Sequence, residues 1–204
     1  MTSEKLVKKM DAPVAGANKI FSYSAGIARN KNVFVTAEYF NALLRGLRAI
    51  ESAQDICSLA YVIMPNYFRW IFRARDGVDD PRPIYGELKK NVAREILVNL
   101  MMEVKLGAPK FRVLDFLIKR NVRRSRPQKI LEEFRDEAKK YEGRKFRVWD
   151  KGGFLKKLEN KVDLAKELES LRHRPIAGKV PLADKPEEYP YLYVNEELER
   201  ELLA

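Results

Sequence analysis

The sequence predicts an α+β fold: a ferredoxin-like split βαβ arrangement, with an antiparallel sheet, helices packed on one face, a basic helical insertion and a C-terminal tail. Three observations predict it. The apolar, aromatic-rich runs Ile56–Met64 and Tyr67–Arg73 are separated only by Pro65-Asn66, the pattern of an antiparallel pair joined by a tight turn. Two long segments repeat apolar residues every three or four positions, as amphipathic helices do. The main elements follow the order strand, helix, strand, strand, helix, strand, helix, which is that of the split βαβ unit.

Residues 1–18 read as a flexible leader. Met1–Met10 is polar and lysine-rich without an apolar core behind it, unlike a secretory signal. Ile20-Phe21-Ser22-Tyr23-Ser24 mixes apolar and small polar residues like a strand, and Arg29–Asn32 reads as a turn. Thr36 suits the N-cap of a helix to about Ala53, with Phe40, Leu43, Leu44, Leu47 and Ile50 on one face. The strand pair 56–73 follows, then a loop with prolines and acids, then a helix over Tyr85–Leu106 striped by Leu88, Val92, Ile96 and Leu100.

Gly107-Ala108-Pro109 breaks that helix and opens an insertion of about 107–143. Within it, Phe111–Ile118 reads as a short helix and Pro127 starts another, to about Tyr141. Lys119–Lys129 carries six basic residues and no acid. Phe146–Trp149 is the fourth strand candidate, closed by a Gly152-Gly153 turn. A helix over Val162–Arg172 is stopped by Arg174-Pro175. The folded domain therefore spans 19–180, and 181–204 is a tail with three prolines and a short acidic helix from Asn195.

Composition narrows the function classes. Of 204 residues, 46% are hydrophobic and 34% charged, which places the chain among globular proteins. No apolar run is long enough to span a membrane. The single cysteine, Cys57, cannot form an internal disulfide, so a reducing cytoplasm is expected. A net charge of +11 favours polyanions as partners and does not by itself separate DNA from RNA or from an acidic membrane surface.

Several motifs occur in a telling order. Leu59–Met64 followed by Pro65-Asn66 resembles the apolar strand and Met-Pro-Asn that precede His-x-His in single-tyrosine HUH transposases, specifically the REP-associated branch. Phe21–Ser24 through Phe34 is similar to that family's first strand, and Glu87–Lys90 to the helix after its metal-binding strand. Phe146–Gly152 resembles a strand written Val-Trp-Gln-Arg in relatives. Arg174–Val180 resembles Asn-Pro-Val-x-Ala-Gly-x-Val, and Pro186–Pro190, with Tyr193 beyond, resembles Pro-Glu-Asp-Tyr-Pro. The insertion resembles nothing in the family.

The resemblance implies a covalent strand-cutting chemistry: two histidines hold a divalent metal on the scissile phosphate and a helical tyrosine attacks. His-x-His suits this because strand residues i and i+2 face the same way. Here the two positions hold Tyr67 and Arg69, and the nucleophile position falls at or near Ser170. A guanidinium does not ligate a metal and repels a nearby cation, although it can grip a phosphate or simply lie on the sheet surface. No tyrosine lies between Tyr141 and Tyr189, and the one histidine, His173, cannot rebuild a metal pair. No metal cofactor is expected.

What remains is a binding surface. Its candidates are Tyr67, which could stack on an unpaired base, with Arg69 and Arg73 on the strand; Lys89, Lys90 and Arg94 on the next helix; Arg120, Arg123, Arg124 and Arg126 in the insertion; and Arg172 and Arg174 near the former nucleophile. The expected protein is a transposase-like, catalytically inactive binder of hairpin or single-stranded DNA. The alternatives are an RNA-binding component on the same fold, a nicking enzyme with a non-standard metal site, and a protein-interaction scaffold docked through the acidic tail. A homodimer is left open.

Overall fold

A computed structural model of the chain describes residues 19–54, 56–75, 78–106, 111–178 and 181–198. It contains a five-stranded antiparallel sheet: β1 (Lys19–Gly26), β2 (Ile56–Met64), β3 (Tyr67–Ala74), β4 (Phe154–Leu158) and β5 (Leu192–Val194), in the order β4-β1-β3-β2-β5. The helices are α1 (Ala37–Gln54), α2 (Arg82–Lys105), α3 (Asp115–Lys119), α4 (Pro127–Ala138) and α5 (Lys161–His173). The α+β architecture is the one predicted. Among the described residues, no helix is long and apolar enough to cross a membrane.

The alternation of β3 sorts its two faces. Phe68, Trp70 and Phe72 point to the main core, opposite Ala25, Tyr23 and Phe21 of β1. The indole of Trp70 donates to Ser58 Oγ (2.8 Å), so its one polar atom is satisfied within the core. Tyr23 stacks on Tyr85 of α2 with ring centroids 4.1 Å apart. The predicted stripe of α2, Leu88, Val92, Ile96 and Leu100, is wholly buried. Helix α1 meets it at Gly46, where a Cβ would come within 2.7 Å of Val92 Cγ2 and 2.9 Å of Leu88 Cδ1. Glycine therefore sets how closely the two helices pack. This α1–α2 layer covers one face as expected, and α5 forms a smaller layer on the other, above Arg69.

Several local expectations are corrected. Phe146–Trp149 is not a strand: only Trp149 makes an isolated bridge, to Ile27. Its backbone is tied elsewhere, with the Arg147 N–H donating to the Phe134 carbonyl and the Val148 carbonyl accepting from Ala28. The fourth strand is instead Phe154–Leu158, after the glycine turn, where Gly152 takes a left-handed φ of 80°. The proline-bearing tail supplies β5, which pairs with Ala60–Val62.

Thr36 sits just before α1, but its buried hydroxyl has no hydrogen-bond partner, so it does not cap the helix. Helix α2 starts earlier than predicted, at Arg82. Pro83 is tolerated in the first turn and Asp80 accepts from the Arg82 backbone N–H (3.0 Å). The short helix α3 covers only 115–119. The leader and the Gly107-Ala108-Pro109 break lie outside the described residues.

Candidate functional site

Of the three positions that the resemblance aligns with active-site residues, Tyr67 and Arg69 share a strand face and Arg69 meets Ser170. Tyr67 and Arg69 project from the start of β3 onto the face beneath α5, and Arg69 Nη1 donates to Ser170 Oγ on α5 at 3.0 Å. The register explains the first part: Tyr67 and Arg69 sit opposite Met64 and Val62 of β2, and opposite Gly26 and Ser24 of β1. The second part follows from the α5 stripe of Leu164, Leu168 and Leu171, which turns Ser170 toward the sheet.

The guanidinium of Arg69 is held by the protein itself. It lies 3.4 Å from Glu167 Oε1, and both side chains are nearly buried, at 12% and 11% exposure. Ser22 Oγ of β1 donates to the same carboxylate oxygen at 2.6 Å. Burial pushes the Arg69 pKa down, Glu167 pushes it back up, and Arg174 pushes it down again. Burial likewise raises the Tyr67 phenol above its ordinary range, against the pull of Arg174 and Arg69. A raised phenol is the opposite of what an activated nucleophile needs.

These residues do not fit a divalent metal. Among the described residues, no three His, Cys, Asp or Glu side chains converge. The one carboxylate here, Glu167, is already matched by a cation on the strand that would present the ligands. Glu167 and Ser22 were not singled out from the sequence. Glu167 was findable, because it stands within the apolar stripe Leu164, Leu168, Leu171, where a buried acid needs a partner.

The remaining cationic candidates fall into separate places. Arg73 lies at the far end of β3, opposite Ile20 and Cys57. Arg172 is on α5, and Arg174 just beyond it lies near Tyr67, whose phenol pKa it pulls down. Lys89, Lys90 and Arg94 lie along α2, beside the segment 141–152. In the insertion, Arg123 and Arg126 are exposed, while Arg120 pairs with Asp184 at 2.8 Å.

Arg124, expected on the binding surface, is turned inward. Its side chain is 7% exposed and forms a two-pronged pair with the fully buried Glu103, Nη1 to Oε2 at 2.9 Å and Nη2 to Oε1 at 2.5 Å. Nη2 also reaches the hydroxyl of Tyr39, which itself donates to Glu103. Burial alone would lower the Arg124 pKa, but the bonds to Glu103 and Tyr39 outweigh it and raise it. Arg124 anchors the insertion to α1 and α2 and presents no charge to a ligand.

The sheet and helices define an α+β chain built on a five-stranded antiparallel sheet. No family model and no curated protein matches this chain. Solved structures do match: one is a REP-associated tyrosine transposase bound to a REP hairpin, with a TM-score of 0.56 over 90% of this chain and 81% of that one, at 11% sequence identity. At that identity the likeness is one of fold.

Proposed function

We propose that this chain is a transposase-like nucleic-acid-binding protein that engages a DNA hairpin with its flanking single strand and has lost strand cleavage. The observation that carries the reading is the contact of Arg69 with Ser170, on the strand face that Arg69 shares with Tyr67. There the protein fills the site with its own Arg69–Glu167 ion pair, not with a metal pair and a tyrosine. The shared fold with a transposase bound to a REP hairpin supports a structured nucleic acid as ligand, and the net charge of +11 supports a polyanion.

The test is a binding titration over a salt series, with hairpins carrying a single-stranded flank, unstructured strands of the same composition, and RNA of matched shape. Tighter binding to the hairpin is expected, with a log–log salt slope of about −0.7 for each phosphate contacted on a single strand. Equal affinity for all polyanions would remove the reading, and preference for the RNA would replace its target.

A further inference from the structure

On the α2 side of the sheet, an open groove of about 750 Å³ runs between α2 and the segment 141–152. Lys89, Lys90 and Arg94 line it from the helix, and Arg144 and Arg147 from the facing segment. Among the described residues, Asp150 is the only acid on its walls. Some surface cations elsewhere are neutralised: Arg29 by Glu137, Lys31 by Glu133, Arg45 by Glu95, Arg120 by Asp184. Here none of Lys89, Lys90, Arg94 or Arg144 forms an ion pair with a described residue.

The crowding affects Lys89, whose pKa is lowered first by burial and then by Arg147 and Arg144. Five cations held side by side with one acid create a field that an anion relieves. Aromatic side chains are interleaved with them. Tyr85, Tyr141 and Trp149 line the same groove, with Arg147 3.7 Å from the Tyr141 ring centroid and Lys89 5.9 Å from that of Trp149. Trp149 is buried, Tyr85 is stacked on Tyr23 and Arg147 covers one face of Tyr141, so the cations carry the attraction: the phosphates of unpaired nucleotides seek them, beside the half-buried rings of Tyr85 and Tyr141.

Shape and position narrow the ligand further. The volume falls within the ~300–1,000 Å³ of ordinary small-ligand pockets, a size for one or a few nucleotides and too small to enclose a duplex. At one end Asp150 lies against Gly26, whose Cβ position is 3.1 Å from Asp150 Oδ2, and Gly26 is the strand partner of Tyr67. The groove thus ends beside the end of the sheet that carries Tyr67 and Arg69.

The geometry points to this groove as the seat of the unpaired nucleotides that flank the hairpin stem, with Lys90, Arg94 and Arg144 on their phosphates. The inference rests on the proposed function and names the surface that would carry its single-stranded part. The wall from 141 to 152 begins at the end of the insertion.

The test compares the full chain with a triple variant, Lys90→Ala, Arg94→Ala and Arg144→Ala. All three residues are exposed, so the fold is not at stake. A control variant removes the same charge at Lys105, Lys119 and Lys185, which are exposed and do not line the groove. The probes are one labelled DNA hairpin with a single-stranded flank and the same hairpin blunt-ended.

The unaltered protein should prefer the flanked hairpin. The groove variant should lose that preference, with a salt slope shallower by about 2 for three lost contacts. The control should keep it. A groove variant that binds the flanked hairpin like the unaltered protein would overturn the groove assignment and leave hairpin binding standing. Loss of the preference in both variants would also overturn it, as an effect of net charge. An unaltered protein that binds neither probe would remove the proposed function as well.

Discussion

Replacing Arg124 by alanine is expected to cost about 3–5 kcal/mol of folding stability, the range for breaking a buried ion pair and leaving one charge behind. Arg124, Glu103 and Tyr39 form a closed set: the carboxylate accepts both prongs of the guanidinium and the tyrosine hydroxyl. Without Arg124, Glu103 is a fully buried carboxylate with the Tyr39 hydroxyl as its remaining described side-chain donor. The loss is a large share of the roughly 5–15 kcal/mol that holds an ordinary domain together. Tyr39→Phe is the graded companion: it removes two hydrogen bonds to charged groups, one given to Glu103 and one taken from Arg124, but leaves the ion pair in place, and should cost about 1.5–3 kcal/mol. Urea unfolding of both variants measures the two losses. An Arg124→Ala protein as stable as the parent would mean that the clamp is not what anchors the insertion.

Arg69→Ala should destabilise the chain by a similar amount, about 3–5 kcal/mol, because Glu167 would be left nearly buried with Ser22 as its remaining described hydrogen-bond donor. The more telling variant changes both partners, Arg69→Met with Glu167→Leu. Replacing a buried pair by apolar groups of similar volume is often neutral, so the double variant should recover most of what either single change loses. A double-mutant cycle by chemical denaturation reads the coupling directly. If the losses of the two single variants simply add, Arg69 and Glu167 do not act as a pair. The site would then be a plain stretch of sheet surface.

The strand pair 56–74 was legible because its alternation is strong and Pro65-Asn66 leaves room only for a tight turn. The meeting of Arg69 and Ser170, 101 positions apart, was legible through the order of the motifs, and no local pattern would have given it. Strand β4 was missed because Phe154–Leu158 is short, lies at the sheet edge and carries two lysines, while the neighbouring Val148-Trp149 looks more strand-like. Three-residue β5 is too short to leave a period of its own.

The buried acids were half legible. Glu103 continues the stripe Ile96, Leu100, and Glu167 interrupts the stripe of α5, so each announces a buried charge. Their partners did not show. Arg124 stands in a run of cations in which nothing local says which one turns inward, and Arg69 is brought to Glu167 only by the docking of α5 on the sheet.

The most direct test of the account is to incubate the protein with a labelled, flanked DNA hairpin and Mn²⁺ and to read retained complex, denaturant-resistant adduct and nicked strand from the same samples. The account predicts a salt-sensitive complex with no adduct and no nick, with or without the metal. A covalent adduct, or nicking that requires Mn²⁺, would contradict it and show that a cutting centre exists that Tyr67, Arg69 and Ser170 do not reveal.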